Sequence, residues 1–146
     1  MKTQRVDILL VEDSPADVDL ARAALKAAGF SGSLHVATNG DEAMAFVHRE
    51  GEHRDAPRPD LVLLDINVPR LDGRGVLRAI RADSDLETIP VIAMSSSDTL
   101  KDVSELYALH ANAYVCKPVD LNDFFQAIES IVNFWFGHAK LPFNPS

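Results

Sequence analysis

The chain is expected to fold as an α/β domain: a doubly wound five-stranded parallel sheet with helices on both faces. Three observations predict this. Short apolar runs alternate with segments of helical periodicity five times along the chain, and that alternation implies a parallel sheet with right-handed crossovers. The run Leu61-Val62-Leu63-Leu64 is apolar without a polar alternate, as suits a strand buried on both faces. The 146 residues, 47% hydrophobic and 25% charged, are enough for one domain around one sizeable core.

The elements follow in order. Val6 to Val11 is the first strand and ends in Glu12-Asp13. Ser14 is an N-cap and Pro15 a first-turn residue for the helix that follows. On that helix Ala16, Leu20, Ala23, Ala24 and Ala27 fall on one face, and Gly29 closes it. Leu34 to Ala37 is a short second strand. Asn39 or Gly40 opens the second helix, with Ala43, Phe46 and Val47 inward. Gly51 to Pro59 is polar and proline-bearing, a surface loop with solvated charges. The third strand, Leu61 to Leu64, ends in Asp65; Pro69 then blocks further ladder pairing and Asp72-Gly73 offers a turn or cap.

Asp72 caps a third helix to about Ala82, with Val76, Leu77 and Ile80 as its stripe. Val91 to Met94 is the fourth strand, followed by Ser95-Ser96-Ser97. Asp98 caps a fourth helix, with Leu100, Val103 and Tyr107 inward. Ala113 to Cys116 is the fifth strand, followed by Lys117-Pro118. Asp120 caps the last helix, whose stripe is Leu121, Phe124, Phe125, Ile128, Ile131, Val132 and Trp135. Gly137 ends it, and a tail runs from His138 to Ser146.

Composition excludes several classes. With 14 Lys and Arg against 22 Asp and Glu, the net charge is −8, which argues against a nucleic-acid surface and suits metal cations or a basic partner face. Cys116 is the single cysteine, so no internal disulfide forms and nothing suggests an oxidising compartment. No apolar stretch approaches the ~20 residues that span a bilayer, and the N-terminus has no signal-peptide core. A cytoplasmic location without membrane contact is expected.

All strand C-termini of a parallel sheet lie along one edge. Here they carry Glu12-Asp13, Asp65, Ser95 and Lys117, with only Ala37-Thr38 from the second strand. Of the common doubly wound orders, the flavodoxin-like 2-1-3-4-5 suits five strands and makes Asp13 and Asp65 neighbours at the topological switch point. Close carboxylates repel and raise one another's pKa. A hard divalent cation relieves that conflict, and Mg²⁺ needs only one or two carboxylates while keeping waters and sharing phosphate oxygens. Lys117 adds an ammonium and Ser95 a hydroxyl, so Asp65 is surrounded by groups that stabilise a phosphoryl group on a carboxylate.

With these residues in this order, the chain resembles the response-regulator receiver domain over about residues 5–136, leaving 137–146 as a tail. The motifs are Glu12-Asp13, Asp65, Asp72-Gly73, Ser95 after Pro90, and Tyr114-Val115-Cys116-Lys117-Pro118. The resemblance implies that Asp65 is the phosphoacceptor. Asp13 and Asp65 would bind Mg²⁺ directly, Glu12 through water and Asn67 through its backbone carbonyl, with Mn²⁺ or Ca²⁺ as substitutes. Ser95 and Lys117 would hold the phosphoryl oxygens, with Ser96 the alternative to Ser95 if the strand slips by one residue. Tyr114 would be the aromatic switch that turns inward as Ser95 moves, against the plainer role of a packing residue. The family usually has a cis bond at Lys117-Pro118. Glu12 and Ser95 stand where Asp and Thr are also common.

Other readings fit less well. A haloacid-dehalogenase-like phosphatase needs a second acid in Asp-x-Asp, and Asp65-Ile66-Asn67 places an amide there, which cannot shuttle a proton. A flavin module would find its phosphate repelled by Glu12-Asp13. The P-loop pattern is missing, and Gly73-x-Gly75 is no dinucleotide fingerprint. Cys116 reads as a small core residue, and the five histidines have no metal spacing or phosphodonor motif.

The expected function is a stand-alone response regulator, or a phosphorelay intermediate, that a sensor histidine kinase phosphorylates and that signals through its fourth helix, fifth strand and fifth helix. Transfer from small phosphodonors and self-dephosphorylation are expected too. The long loop near residue 50, Phe134-Trp135-Phe136 and Leu141-Pro142-Phe143 resemble regulators paired with bacterial phytochrome kinases, which implies light as the signal. Phe134, Phe136 and Phe143 lie off the core stripe, so a homodimer through the last helix and tail is expected. Folding back of the tail on its own subunit is the alternative.

Overall fold

The structure is a computed structural model that describes residues 6–142. Its strands are β1 (Asp7–Val11), β2 (Ser33–Ala37), β3 (Leu61–Asp65), β4 (Val91–Ser95) and β5 (Ala113–Cys116). Its helices are α1 (Pro15–Ala27), α2 (Gly40–His48), α3 (Gly73–Ala82), α4 (Leu100–Ala108) and α5 (Leu121–Val132). A 3₁₀ turn at Gly51–His53 interrupts the long loop, and a π-type turn at Asn133–His138 extends α5. The strands are all parallel, in the order β2-β1-β3-β4-β5.

Alternation along each strand sends side chains to opposite faces, and so builds two cores. Leu9, Val11, Val62, Leu64, Val91 and Ala93 pack against α2, α3 and Leu106 of α4. Ile8, Leu10, Leu61, Leu63, Ile92 and Met94 pack against α1 and α5. Covered on both sides, β3 and β4 are buried throughout, whereas the outer strands β2 and β5 are mostly half-exposed. On α3 the buried stripe is Val76, Leu77 and Ile80, each contributing about 1.5–3 kcal/mol of apolar burial before conformational entropy is set against it.

Side-chain caps start every α-helix. Ser14, Asn39, Asp72 and Asp120 accept backbone N–H groups of α1, α2, α3 and α5. On α4 the cap is Thr99, not Asp98: its Oγ1 accepts from Asp102 N at 3.2 Å. The chain leaves β4 one residue later than the sequence pattern suggests.

Four other expectations change. Ala16, Ala23 and Ala27 of α1 face solvent, and Ala21, Ala24 and Leu25 are its buried face. A run of alanines carries little phase information, and the bulk of Leu25 decides the rotation. On α4, Leu100 and Tyr107 are exposed and Leu106 is the buried residue. Leu121 is exposed at the start of α5, before the helix has settled onto the sheet. No peptide bond among the described residues is cis, so Lys117–Pro118 is trans, the form that X-Pro bonds ordinarily prefer.

At the chain's end Phe134 is 53% exposed. Phe136, however, turns back onto Phe30, ring centroids 5.6 Å apart, and joins the α1–α5 core with Trp135. This part of the chain therefore folds on its own subunit. Phe143 and the tail beyond it lie outside the described residues, as do Met1 to Arg5.

Gly73 ties α3 to the end of β3. A β-carbon there would lie 2.4 Å from Ile66 Cα and 2.9 Å from Asp65 O, while Gly73 N donates to Ile66 O at 3.1 Å. Gly73→Ala must push backbone against backbone and should cost about 1–3 kcal/mol, read from the midpoint of urea unfolding. An unchanged midpoint would mean that this turn yields freely.

Candidate functional site

Parallel pairing of β1 with β3 sets Val11 opposite Leu64. The residues that follow each strand therefore emerge together at the C-terminal edge. Glu12, Asp13 and Asp65 offer carboxylate oxygens that all lie within 4.8 Å of one another. Glu12 and Asp65 are buried, 3% and 8% exposed, whereas Asp13 faces solvent. β5 delivers Lys117 to the same point. Its Nζ donates to Glu12 Oε2 at 2.7 Å and to Asp65 Oδ2 at 2.8 Å.

The remaining oxygens are held by backbone. Ser14 N donates to Glu12 Oε1 at 3.2 Å, and Asn67 N donates to Asp65 Oδ1 at 2.9 Å. Both bonds follow from tight turns just after a strand, so the loops orient the carboxylates. A cavity of about 70 Å³ adjoins the site, walled by Leu10, Leu20, Leu63, Met94, Phe124 and Ile128 beside the polar cluster.

The electrostatics follow from this setting. Burial pushes the Glu12 carboxyl above its ordinary value; the Lys117 hydrogen bond pulls it back and the neighbouring Asp65 pushes it further up. Burial alone would lower the Lys117 ammonium, but its hydrogen bonds to Asp65 and Glu12 outweigh that and raise it well above the usual lysine value. Lys117 is therefore charged throughout the neutral range. One ammonium still faces three carboxylates. The excess negative charge and the all-oxygen donor set suit a hard divalent cation, and Glu12, Asp13 and Asp65 are the side chains placed to hold it.

The structure places each of the other residues singled out from sequence. Asn67 lies in the turn directly after β3 and is exposed. β4 ends at Ser95, which is 1% exposed, while Ser96 is exposed; Ser95 is thus the serine turned inward. Its Oγ accepts from Ser97 N at 3.1 Å. Tyr114 is half-buried against the α2–α4 core, and its hydroxyl donates to Ser97 O at 2.8 Å. Cys116 is exposed rather than in the core, because β5 is an edge strand.

Sequence reasoning missed Asp17, whose Oδ2 lies 3.5 Å from Lys117 Nζ. It stands one helical turn after Asp13, so i, i+4 spacing across the helix start was an available signal. Also missed was a network of Ser97, Asp102 and Arg74, for which strand and helix patterning gives no signal.

Known proteins resemble this chain closely. It matches the family profile "Response regulator receiver domain" over residues 8–129. It is 42% identical over 135 residues to the response regulator Rcp1 of Synechocystis sp., covering 92% of this chain and 92% of that protein. The fold matches the crystal structure of the phosphorylated cyanobacterial phytochrome response regulator RcpA with a TM-score of 0.91 and 41% identity, over 96% of this chain and 100% of that one. It matches the Mn²⁺-bound form of response regulator Rcp1 with a TM-score of 0.89 and 41% identity, over 94% and 99%.

Lys117→Gln would leave Glu12 and Asp65 buried without their shared ammonium. In metal-free buffer at neutral pH it should cost about 3 kcal/mol, the low end for removing one partner of a buried ion pair. Urea denaturation reads this directly, and a loss under about 0.5 kcal/mol would assign the lysine the small energetics of a surface pair.

Proposed function

Because this chain belongs to the response regulator receiver family, we propose that Asp65 accepts a phosphoryl group from a histidine kinase, with Mg²⁺ bound at Asp13 and Asp65. The observation that carries this reading is the ion-paired cluster itself: Asp65 Oδ2 lies 2.8 Å from Lys117 Nζ, with Glu12 and Asp13 alongside at the carboxyl edge of the sheet.

In this reading an oxygen of the Asp65 carboxylate attacks the phosphorus of a phosphohistidine. A new O–P bond forms, the P–N bond breaks, and the imidazole leaves with the electron pair and takes up a proton. Lys117 turns from the bare carboxylates to an equatorial phosphoryl oxygen. Ser95 donates its hydroxyl to another, and Tyr114 follows Ser95 inward. When bound, the cation neutralises charge on the carboxylates and the incoming phosphoryl oxygens. Glu12 would hold it through water and Asn67 through its backbone carbonyl.

RcpA is a phytochrome response regulator, so the upstream kinase proposed here is a bacteriophytochrome and the signal red or far-red light. No described helix is long and apolar enough to cross a membrane. The domain spans 5–136, and the tail 137–146 is proposed to reach a second copy. The exposed Leu121 and Phe134 on and after α5 support a homodimer through the last helix and tail.

Two measurements test these readings. With Mg²⁺ and acetyl phosphate, each chain should gain one hydroxylamine-labile phosphate by intact mass, and Asp65→Asn should abolish it. Multiple turnover of generic phosphomonoesters would instead mean a phosphatase. For the dimer, a chain ending at Phe136 should lose mass by light scattering relative to the full chain; equal mass would mean that the tail plays no part in association.

A further inference from the structure

The loop from β3 to α3 carries an irregular bend. Arg70 has φ 65°, in the left-handed region that a residue with a β-carbon keeps only where its surroundings hold it. What holds it is the start of α2. Just before the bend, Gly40 N donates to Pro69 O at 3.3 Å. Just after it, the Leu71 backbone lies against Gly40. A β-carbon on Gly40 would overlap Leu71 O outright and stand 2.5 Å from its carbonyl carbon. The Arg70–Asp41 ion pair spans the same junction at 3.9 Å, but its side chains are 69% and 62% exposed, so it contributes little.

Gly40 is not needed for its own backbone angles, since the positive-φ glycines among the described residues are Gly29 and Gly51. It is needed for space, and a clash with a carbonyl cannot be relieved by a rotamer change. Gly75 flanks the same leucine differently. A β-carbon there would meet the Leu71 side chain, with Cγ at 2.9 Å, and Leu71 is 36% exposed, so that side chain can turn outward. The other end of the loop lies at the acidic site. Asn67 N donates to Asp65 Oδ1 at 2.9 Å. Ile66 and Val68, on either side of Asn67, are 1% and 3% exposed. Close-packed residues transmit a displacement rather than absorb it, so a shift at Leu71 passes back through Val68 to the Asn67 amide.

We propose that Gly40 is a positioning residue for Asp65: by leaving room for the Leu71 backbone at the start of α2, it fixes the loop whose Asn67 amide aims the Asp65 carboxylate. The proposal rests on the reading of Asp65 as cation ligand and phosphoacceptor.

Two measurements on the full chain test it. The first is Mn²⁺ affinity, from the loss of the free ion's electron-spin resonance signal, together with the rate of phosphate uptake from acetyl phosphate. Gly40→Ala, checked for fold by circular dichroism, should lower both by about tenfold, the low end for a group that orients a metal ligand. Gly75→Ala should change either by less than about twofold, the Leu71 side chain giving way. Ile80→Val, which thins the core under α3, should leave both at the wild-type value. The second needs no variant and decides the case should Gly40→Ala fail to fold. Coupling between two sites is reciprocal, so saturating Mg²⁺ should slow hydrogen exchange at the wild-type Gly40 amide by a similar factor. The Gly29 amide, bonded to Lys26 O at the far end of α1, should keep its rate. An unchanged Gly40 exchange rate, a folded Gly40→Ala with wild-type affinity and uptake, or an equal loss in Gly75→Ala overturns the positioning role. A wild-type chain that binds no Mn²⁺ or takes up no phosphate overturns the reading of Asp65 instead.

Discussion

The Lys117 ammonium held between Glu12 and Asp65 is the interaction on which the rest of this structure depends. Two carboxylates at the end of adjacent strands could not both stay ionised and nearly buried without it. Their attraction anchors the start of the β5–α5 connection to the ends of β1 and β3, 105 and 52 residues upstream in sequence. The same contact leaves a net negative charge beside it, since among the described residues one ammonium is shared by Glu12 and Asp65 while Asp13 adds a third carboxylate. An incoming phosphoryl group meets a site whose positive partner is already aimed and whose excess charge favours a divalent ion. Preorganisation of this kind spares reorganisation at the moment of reaction.

Much of this was legible in the sequence, for a geometric reason. A parallel sheet gathers the C-termini of its strands on one side, so the residues after each apolar run needed only a strand order to be brought together. Glu12, Asp13, Asp65 and Lys117 all follow such runs directly, and strand boundaries fell within a residue or so of the expected ones. Ser95 was separable from Ser96 only by burial, because one residue of slip reverses which face a side chain meets.

The rest was hidden for equally physical reasons. On α1 the alanines at 16, 23 and 27 gave a false stripe, and on α4 two large apolar residues face water while Leu106 alone is buried. Three consecutive serines before Asp98 and Thr99 allow several cap choices, and Thr99 prevailed because its hydroxyl reaches Asp102 N. Phe136 looked unpartnered because nothing in a periodic pattern reveals that Phe30, a hundred residues earlier, lies under it. Loop-borne hydrogen bonds among Ser97, Asp102 and Arg74 depend on backbone turns that hydrophobic periodicity does not encode.

The end of the sheet away from the carboxylates is built differently. There Arg81 donates to the carbonyls of Glu87, Ile89 and His110 and to the Asn112 side chain, which also accepts from Val91 N. Among the described residues no acid is bonded to this guanidinium, and burial lowers its pKa, so it acts as a rivet through neutral backbone rather than as half of an ion pair. Salt and carboxylate titration, which loosen ordinary charge pairs, leave such a joint largely untouched. The outer half of the sheet is therefore fastened at both ends by unlike joints: a neutral one at its root that added salt leaves alone, and at the opposite edge the Lys117 pair, which answers to charge.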